Sequence, residues 1–266
     1  MASALKSLFA VTLLILICLF GTWFYLRNTA LSEPVKRPHD HPFLKSVFPA
    51  LVAYPKVENS AFPDRQIHLD ELMKLPESII VWIPVTHDPA PDQPELFVRV
   101  SSGESKPLSE VLQALPRRRL VLSFLEHRPY TTERIFEVID SAGAADRVLI
   151  HSPIDRLLKE IREKRPTWLY GTSHALSTRL KMMASIGLEA VVTITSDIVV
   201  IEQLPEKLSE FSPSVIADAH RRNLLVLGGP VDTVEEAKEL FARKVDAVMI
   251  SNPDALDSTL VESASQ

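Results

Sequence analysis

A chain of 266 residues, 46% hydrophobic and 24% charged, can bury one large core even after an apolar N-terminal stretch is set aside. A net charge of -5 leaves no basic footprint, which excludes nucleic acid as a partner on electrostatic grounds. The single cysteine, Cys18, lies inside that apolar stretch, so the rest of the chain has no disulfide framework, cysteine metal site or thiol nucleophile, and no Gly-x-Gly-x-x-Gly or phosphate-loop spacing supports nucleotide binding.

The first element is the charge-free run "LFAVTLLILICLFGTWFYL", Leu8 to Leu26. It matches the ~20 residues that a spanning helix needs, and Trp23 and Tyr25 suit an interfacial belt. No convincing small-x-small site follows it, so residues 1–27 are expected to form an uncleaved membrane anchor. Lys6 lies on one side of the run and Arg27, Lys36 and Arg37 on the other, so charge alone leaves the orientation open. The short leading tail favours a single-pass membrane protein with its globular domain on the non-cytoplasmic side. Residues 28–46, polar and punctuated by proline, read as a linker; the "HDH" at His39 to His41 is assigned no metal role, because a solvated linker accounts for it.

Short continuous apolar runs then alternate with helical patterns. The runs are Ala50 to Tyr54, Ile79 to Val85, Arg119 to Leu125, Arg147 to His151, Thr167 to Gly171, Glu189 to Ile194, Leu224 to Gly229 and Asp246 to Ile250. Between them, "PLSEVLQAL", "TTERIFEVIDSAG", "PIDRLLKEIREKR", "ALSTRLKMMASIG", "SVIADAHRRN" and "DTVEEAKELFARK" carry apolar residues near i, i+3, i+4 and i+7. Ser152 and Asp232 are expected as caps at helix starts, and Gly143 and Gly187 at helix ends. Apolar runs that do not alternate are buried on both faces, as parallel strands under crossover helices are. Eight such units predict an α/β fold, a (β/α)8 TIM barrel over residues 47–262, preceded by one N-terminal transmembrane helix; an open doubly wound sheet is the alternative.

"PLSEVLQALPRRRLVLSFLEHR", "AADRVLIHSPIDRLLKEIREKRP" and "VIADAHRRNLLVLGGPVDTVEEAKELFARKVDAVMISNP" together resemble successive units of the glycerophosphodiester phosphodiesterase family, from Pro107 to Pro253, with a weaker match from Ala50. The resemblance implies a barrel whose carboxylates hold a divalent cation on the phosphodiester, while two histidines act as acid and base and Arg and Lys neutralise phosphate charge. Here that set is damaged. Glu58-Asn59-Ser60 survives, but Tyr54-Pro55-Lys56 stands where the family has His-Arg-Gly.

The next segment can be placed two ways. With "HLDELMKLP" as the first helix, strand two is "IIVWIPV", Trp82 and Pro84 replace the Glu-x-Asp carboxylates, "THDPAPD" is a turn and Glu95 to Gly103 replaces the strand bearing His-Asp. Alternatively Ile67 to Asp70 is strand two, with His68 in place of Glu, and His87-Asp88 is retained. On strand three, either Glu126-His127-Arg128 is a relic of the family's Glu-x-Lys, or Ser123 and Leu125 occupy its places.

The resemblance leaves Glu126, His87 and Asp88 as candidate catalytic residues, and Lys56, Glu126, Arg128, His151 and Asp197 as candidate ligand-binding residues, with no metal site assigned. Arg117 to Arg119 read as a solvated turn at the entrance of strand three, and His174 and His220 as outward-facing helix residues. The expected function is a membrane-anchored, catalytically impaired barrel that binds a phospholipid headgroup, a glycerophosphodiester or a protein partner. One alternative is an active phosphodiesterase with a rearranged site that needs calcium or magnesium, no cofactor being expected otherwise; a second is a purely structural envelope component.

Overall fold

The computed structural model describes residues 2–32, 41–44, 50–54, 75–87, 95–99, 105–202 and 213–251. A long helix, α1 (Ala2–Ser32), carries the apolar run; within it Val11–Thr29 is long and apolar enough to cross a membrane. The barrel strands are β1 (Ala50–Ala53), β2 (Ile80–His87), β5 (Leu120–Phe124), β6 (Val148–His151), β7 (Leu169–Tyr170), β8 (Ile198–Ile201), β9 (Leu225–Val231) and β10 (Ala247–Ile250). All pair in parallel in the order β7-β6-β5-β2-β1-β10-β9-β8, and a parallel bridge between Gly171 and Ile198 joins the two ends into a ring. This is a (β/α)8 barrel. Outside it lie α2 (Leu108–Ala114), α3 (Thr131–Ser141), α4 (Asp155–Lys164), α5 (His174–Ala184), α6 (Pro213–Arg221) and α7 (Val234–Ala242).

Burial follows the alternation of a strand that is covered on both sides. Ala50, Val52, Ile80, Trp82, Val121, Leu149, Leu169, Ile198, Val200, Leu227 and Met249 fill the barrel interior, while Val81, Ile83, Val85, Leu120 and Leu122 point outward beneath α2, α3 and α4. The other half of the outer layer, around Val199, Val226, Val248, Leu180, Ile216 and Leu240, packs under α5, α6 and α7. At the N-terminal ends of the strands Phe43, in a 3-10 turn (Pro42–Leu44), is 2% exposed and closes the floor of the interior against Val52, Ile80 and Leu149. The core therefore begins inside the segment read as linker.

Several expectations change in the structure. Ile80–His87 sits between β1 and β5 in the ring, so the fold adopts the first of the two placements of strand two. "ELFVRVSSG" supplies β3 (Leu96–Arg99), which is not a barrel strand: it runs antiparallel to the end of β2 and forms a hairpin with β4 (Ser105–Pro107). The sixth strand is Ile198–Ile201 and not Glu189 to Ile194. The earlier run forms a 3-10 turn (Glu189–Val191), because the Arg222 guanidinium takes the carbonyls of Glu189, Ala190 and Val192, which a ladder would need.

The caps move as well. Helix α4 starts at Asp155, and Ser152 instead donates to the Phe124 carbonyl at 2.7 Å while accepting from Ile154 N–H. Thr233, not Asp232, caps α7, in a capping box with Glu236. Arg118 is buried and donates to the carbonyls of Leu75 and Pro76, so the arginine run ties two loops together instead of forming a solvated turn.

Candidate site at the barrel mouth

In parallel barrels the functional face lies at the C-terminal strand ends. Register brings five inward positions together there: Trp82 pairs with Val121, Pro84 with Ser123, and Ser123 with His151. The rings of Tyr54 and Trp82 lie 5.2 Å apart and those of Trp82 and His151 4.8 Å apart, a continuous tilted stack across the mouth. Ser123 Oγ lies 3.0 Å from His151 Nδ1, and Glu202, one residue beyond β8, brings Oε1 to 3.9 Å from the same nitrogen. All four side chains of Tyr54, Trp82, Ser123 and His151 are buried.

This arrangement is not a nucleophile relay. A serine–histidine–carboxylate relay uses the two ring nitrogens for different partners, whereas here both neighbours face Nδ1. Nor does it fit the divalent cation that the fold's phosphodiesterases imply. A calcium or magnesium ion takes six or more oxygen ligands, mainly carboxylate. The positions on β2 and β5 that face the mouth supply an indole, a proline and one hydroxyl, and no group of three His, Cys, Asp or Glu side chains converges among the described residues.

Beside the stack, between β6, β8 and α5, lies a narrow polar cleft with space for about one water molecule. His151, Thr172, His174, Ser177, Lys181 and Glu202 line it. Gly171 lets the chain after β7 pass close to β8 and His151: a Cβ there would stand 2.8 Å from Val200 Cγ2 and 3.3 Å from His151 Cδ2. Thr172 Oγ1 accepts from Val200 N–H at 2.8 Å, and Ser177 Oγ donates to the Val200 carbonyl at 2.7 Å, so side chains knit the seam where β7 is too short to. Burial holds the Lys181 amine below its ordinary pKa.

The structure separates the residues singled out from sequence. His151 is in the mouth. His87, Glu126 and Arg128 meet in a second place, where the end of β2 meets the loop after β5: His87 Nε2 lies 2.8 Å from Thr131 Oγ1, and Glu126 pairs with Arg128 at 2.7 Å. Glu126 is beyond the strand, so the inward place belongs to Ser123. Asp197 precedes β8 instead of following a strand, and at the opposite end of the barrel its carboxylate accepts from Tyr170 N–H at 2.9 Å. Lys56, Asp88 and Glu58-Asn59-Ser60 lie outside the described residues. His174 lines the cleft, whereas His220 binds Asp246, which also accepts from Val226 N–H. Sequence reasoning misses Glu202, Thr172 and Lys181; with β8 at Ile198–Ile201, Glu202 stands out as the first polar residue after an apolar run.

Burial, and secondarily the nearby Arg128, keeps the His87 imidazole below its usual pKa of 6.5. An unfolded chain therefore takes up a proton near pH 6.5 that the folded chain resists. The stability associated with a neutral His87 is complete above that pH and declines as pH falls below it. His41 is shifted in the same direction by burial, so His87→Gln should flatten, without abolishing, the acid loss of denaturation midpoint between about pH 8 and about pH 5.

No family model and no curated protein matches the chain. Solved structures do. A glycerophosphodiester phosphodiesterase from Parabacteroides distasonis superposes with a TM-score of 0.59 at 14% identity, over 82% of this chain and 98% of its own. A phosphodiesterase from Oleispira antarctica in complex with the product sn-glycerol-3-phosphate gives 0.56 at 16% identity, over 80% and 97%. A glycerophosphodiester phosphodiesterase from Agrobacterium tumefaciens gives 0.53 at 12%, over 77% and 98%. At such identities the likeness is one of fold. The chain is, in fold, a glycerophosphodiester phosphodiesterase-like (β/α)8 barrel.

Proposed function

We propose that this chain is a membrane-anchored, catalytically impaired phosphodiesterase-like barrel that serves as a binding or assembly module. One observation carries the reading. The inward positions at the mouth on β2 and β5 hold Trp82, Pro84 and Ser123, and Trp82 is locked into a buried stack with Tyr54 and His151. Hydrolysis of a phosphodiester on this fold needs charge at that place, to hold a cation and stabilise the developing negative charge. An indole in van der Waals contact with its neighbours offers neither charge nor room. The anchor is Val11–Thr29 of α1. Among the described residues, the polar groups beside the stack are those of the narrow cleft lined by His174, Lys181 and Glu202.

The test is a hydrolysis assay on the full chain in detergent, with glycerophosphocholine, glycerophosphoethanolamine and glycerophosphoglycerol, in calcium or magnesium. Release of sn-glycerol-3-phosphate should not exceed the metal-free blank. Metal-dependent release that disappears in Glu126→Ala would overturn the reading and establish an active enzyme with a rebuilt site.

A further inference from the structure

The barrel carries a second surface whose chemistry the mouth does not use. Outside α1, the large apolar side chains that are strongly exposed among the described residues are Tyr130, Met182 and Ile186. Tyr130 stands at the mouth side, before α3. Met182, 67% exposed, and Ile186, 56% exposed, lie together on the outer side of the last turn of α5 and its exit. That corner is where α1 touches the barrel. Trp23 Nε1–H donates to the Ile186 carbonyl at 2.9 Å, and a Cβ on Gly187 would stand 3.6 Å from the Trp23 ring.

The depth of this contact matters. Trp23 lies six residues before Thr29, the end of the apolar span, which is about 9 Å along a helix axis. Arg27, one turn nearer the water, lies over the Trp23 ring at 5.3 Å. A tryptophan and an arginine so placed mark the boundary between acyl chains and headgroups. A backbone carbonyl bonded to that tryptophan is at the same level. Resting on the reading of α1 as a membrane span, we infer that the corner formed by Met182 and Ile186 is buried in the headgroup region of the bilayer that α1 crosses.

The topology then sets the direction of the barrel. α5 runs from the mouth back toward the N-terminal strand ends, and the turn Glu189–Val191 leads into β8 there. The chain coming from α1 also enters at that end, where Phe43 closes the floor. The contact of α1 with the exit of α5 thus turns the floor toward the membrane, and the mouth opens away from it. The ligand that the mouth meets comes from the water or from another molecule facing the membrane, not from a headgroup of the anchoring bilayer.

The experiment uses the full chain with Cys18→Ser, reconstituted in vesicles of phosphatidylcholine and phosphatidylglycerol and carrying a nitroxide at Met182→Cys, Ile186→Cys or Tyr130→Cys. At 182 and 186 collisions with a water-soluble nickel chelate should be lost and collisions with oxygen retained, while at 130 the chelate should have full access. If the chain floats with the vesicles after an alkaline wash and the 186 label is as open to the chelate as the 130 label, the membrane-seated corner is wrong and the span stands. If the chain does not float, the span and the corner fall together.

Discussion

Replacing Trp82 with alanine lowers the unfolding free energy by about 3–5 kcal/mol, because it empties the largest volume in the barrel interior and leaves a cavity that rigid strands cannot close. For a barrel of this size the melting temperature falls on the order of 10 °C. The measurement is thermal and denaturant unfolding of the full chain in detergent, followed by far-ultraviolet circular dichroism. Trp82→Phe keeps a ring between Tyr54 and His151 and loses less. A loss below about 1 kcal/mol for the alanine variant would mean that Trp82 is not a packed plug and that the mouth can open, which removes the argument against catalysis.

Arg222→Ala is expected to cost as much through a different cause. This buried guanidinium donates to the carbonyls of Val192 at 2.6 Å, Ala190 at 2.7 Å and Glu189 at 3.2 Å, and stands 2.8 Å from the buried Asp218 carboxylate. Removing it takes the guanidinium donor from the Ala190 and Val192 carbonyls, while the Glu189 carbonyl keeps Val192 N–H at 3.1 Å, and leaves Asp218 with Arg221. Breaking a buried pair of this kind costs roughly 3–5 kcal/mol. The variant should melt on the order of 10 °C lower by the same measurement, and the turn Glu189–Val191 should exchange its amide hydrogens faster than α3 does. Unchanged exchange in that turn would show that the carbonyls are held without the guanidinium.

Much of the fold is legible in local pattern. A run such as Ile79 to Val85 has no polar face, so it can only be a strand covered on both sides, and Gly143 and Gly187 end their helices in the left-handed conformation as expected. β8 is not legible this way. "EAVV" and "DIVVI" are equally apolar, and the choice between them is made by Arg222, some 30 residues further along, which captures the carbonyls of the first. Two site errors descend from that one. A strand at Glu189 to Ile194 turns Asp197 into a mouth residue, and it leaves Glu202 with no strand before it to aim its side chain at the mouth.

The mouth itself is half legible. That Trp82 and Pro84 stand where carboxylates belong follows once strand two is chosen. That Trp82 stacks between Tyr54 and His151 depends on the pairing register of four strands, which no local pattern encodes.

Phe43 bears on how this barrel could be separated from α1. The residue belongs by sequence to the tether and by packing to the fold, where it stoppers the floor of the interior. A protease cut upstream of Phe43 sheds a whole barrel. One just downstream sheds a barrel with an open base, its Val52, Ile80 and Leu149 side chains facing water. The first product is a closed, stable domain; the second is a substrate for the next protease.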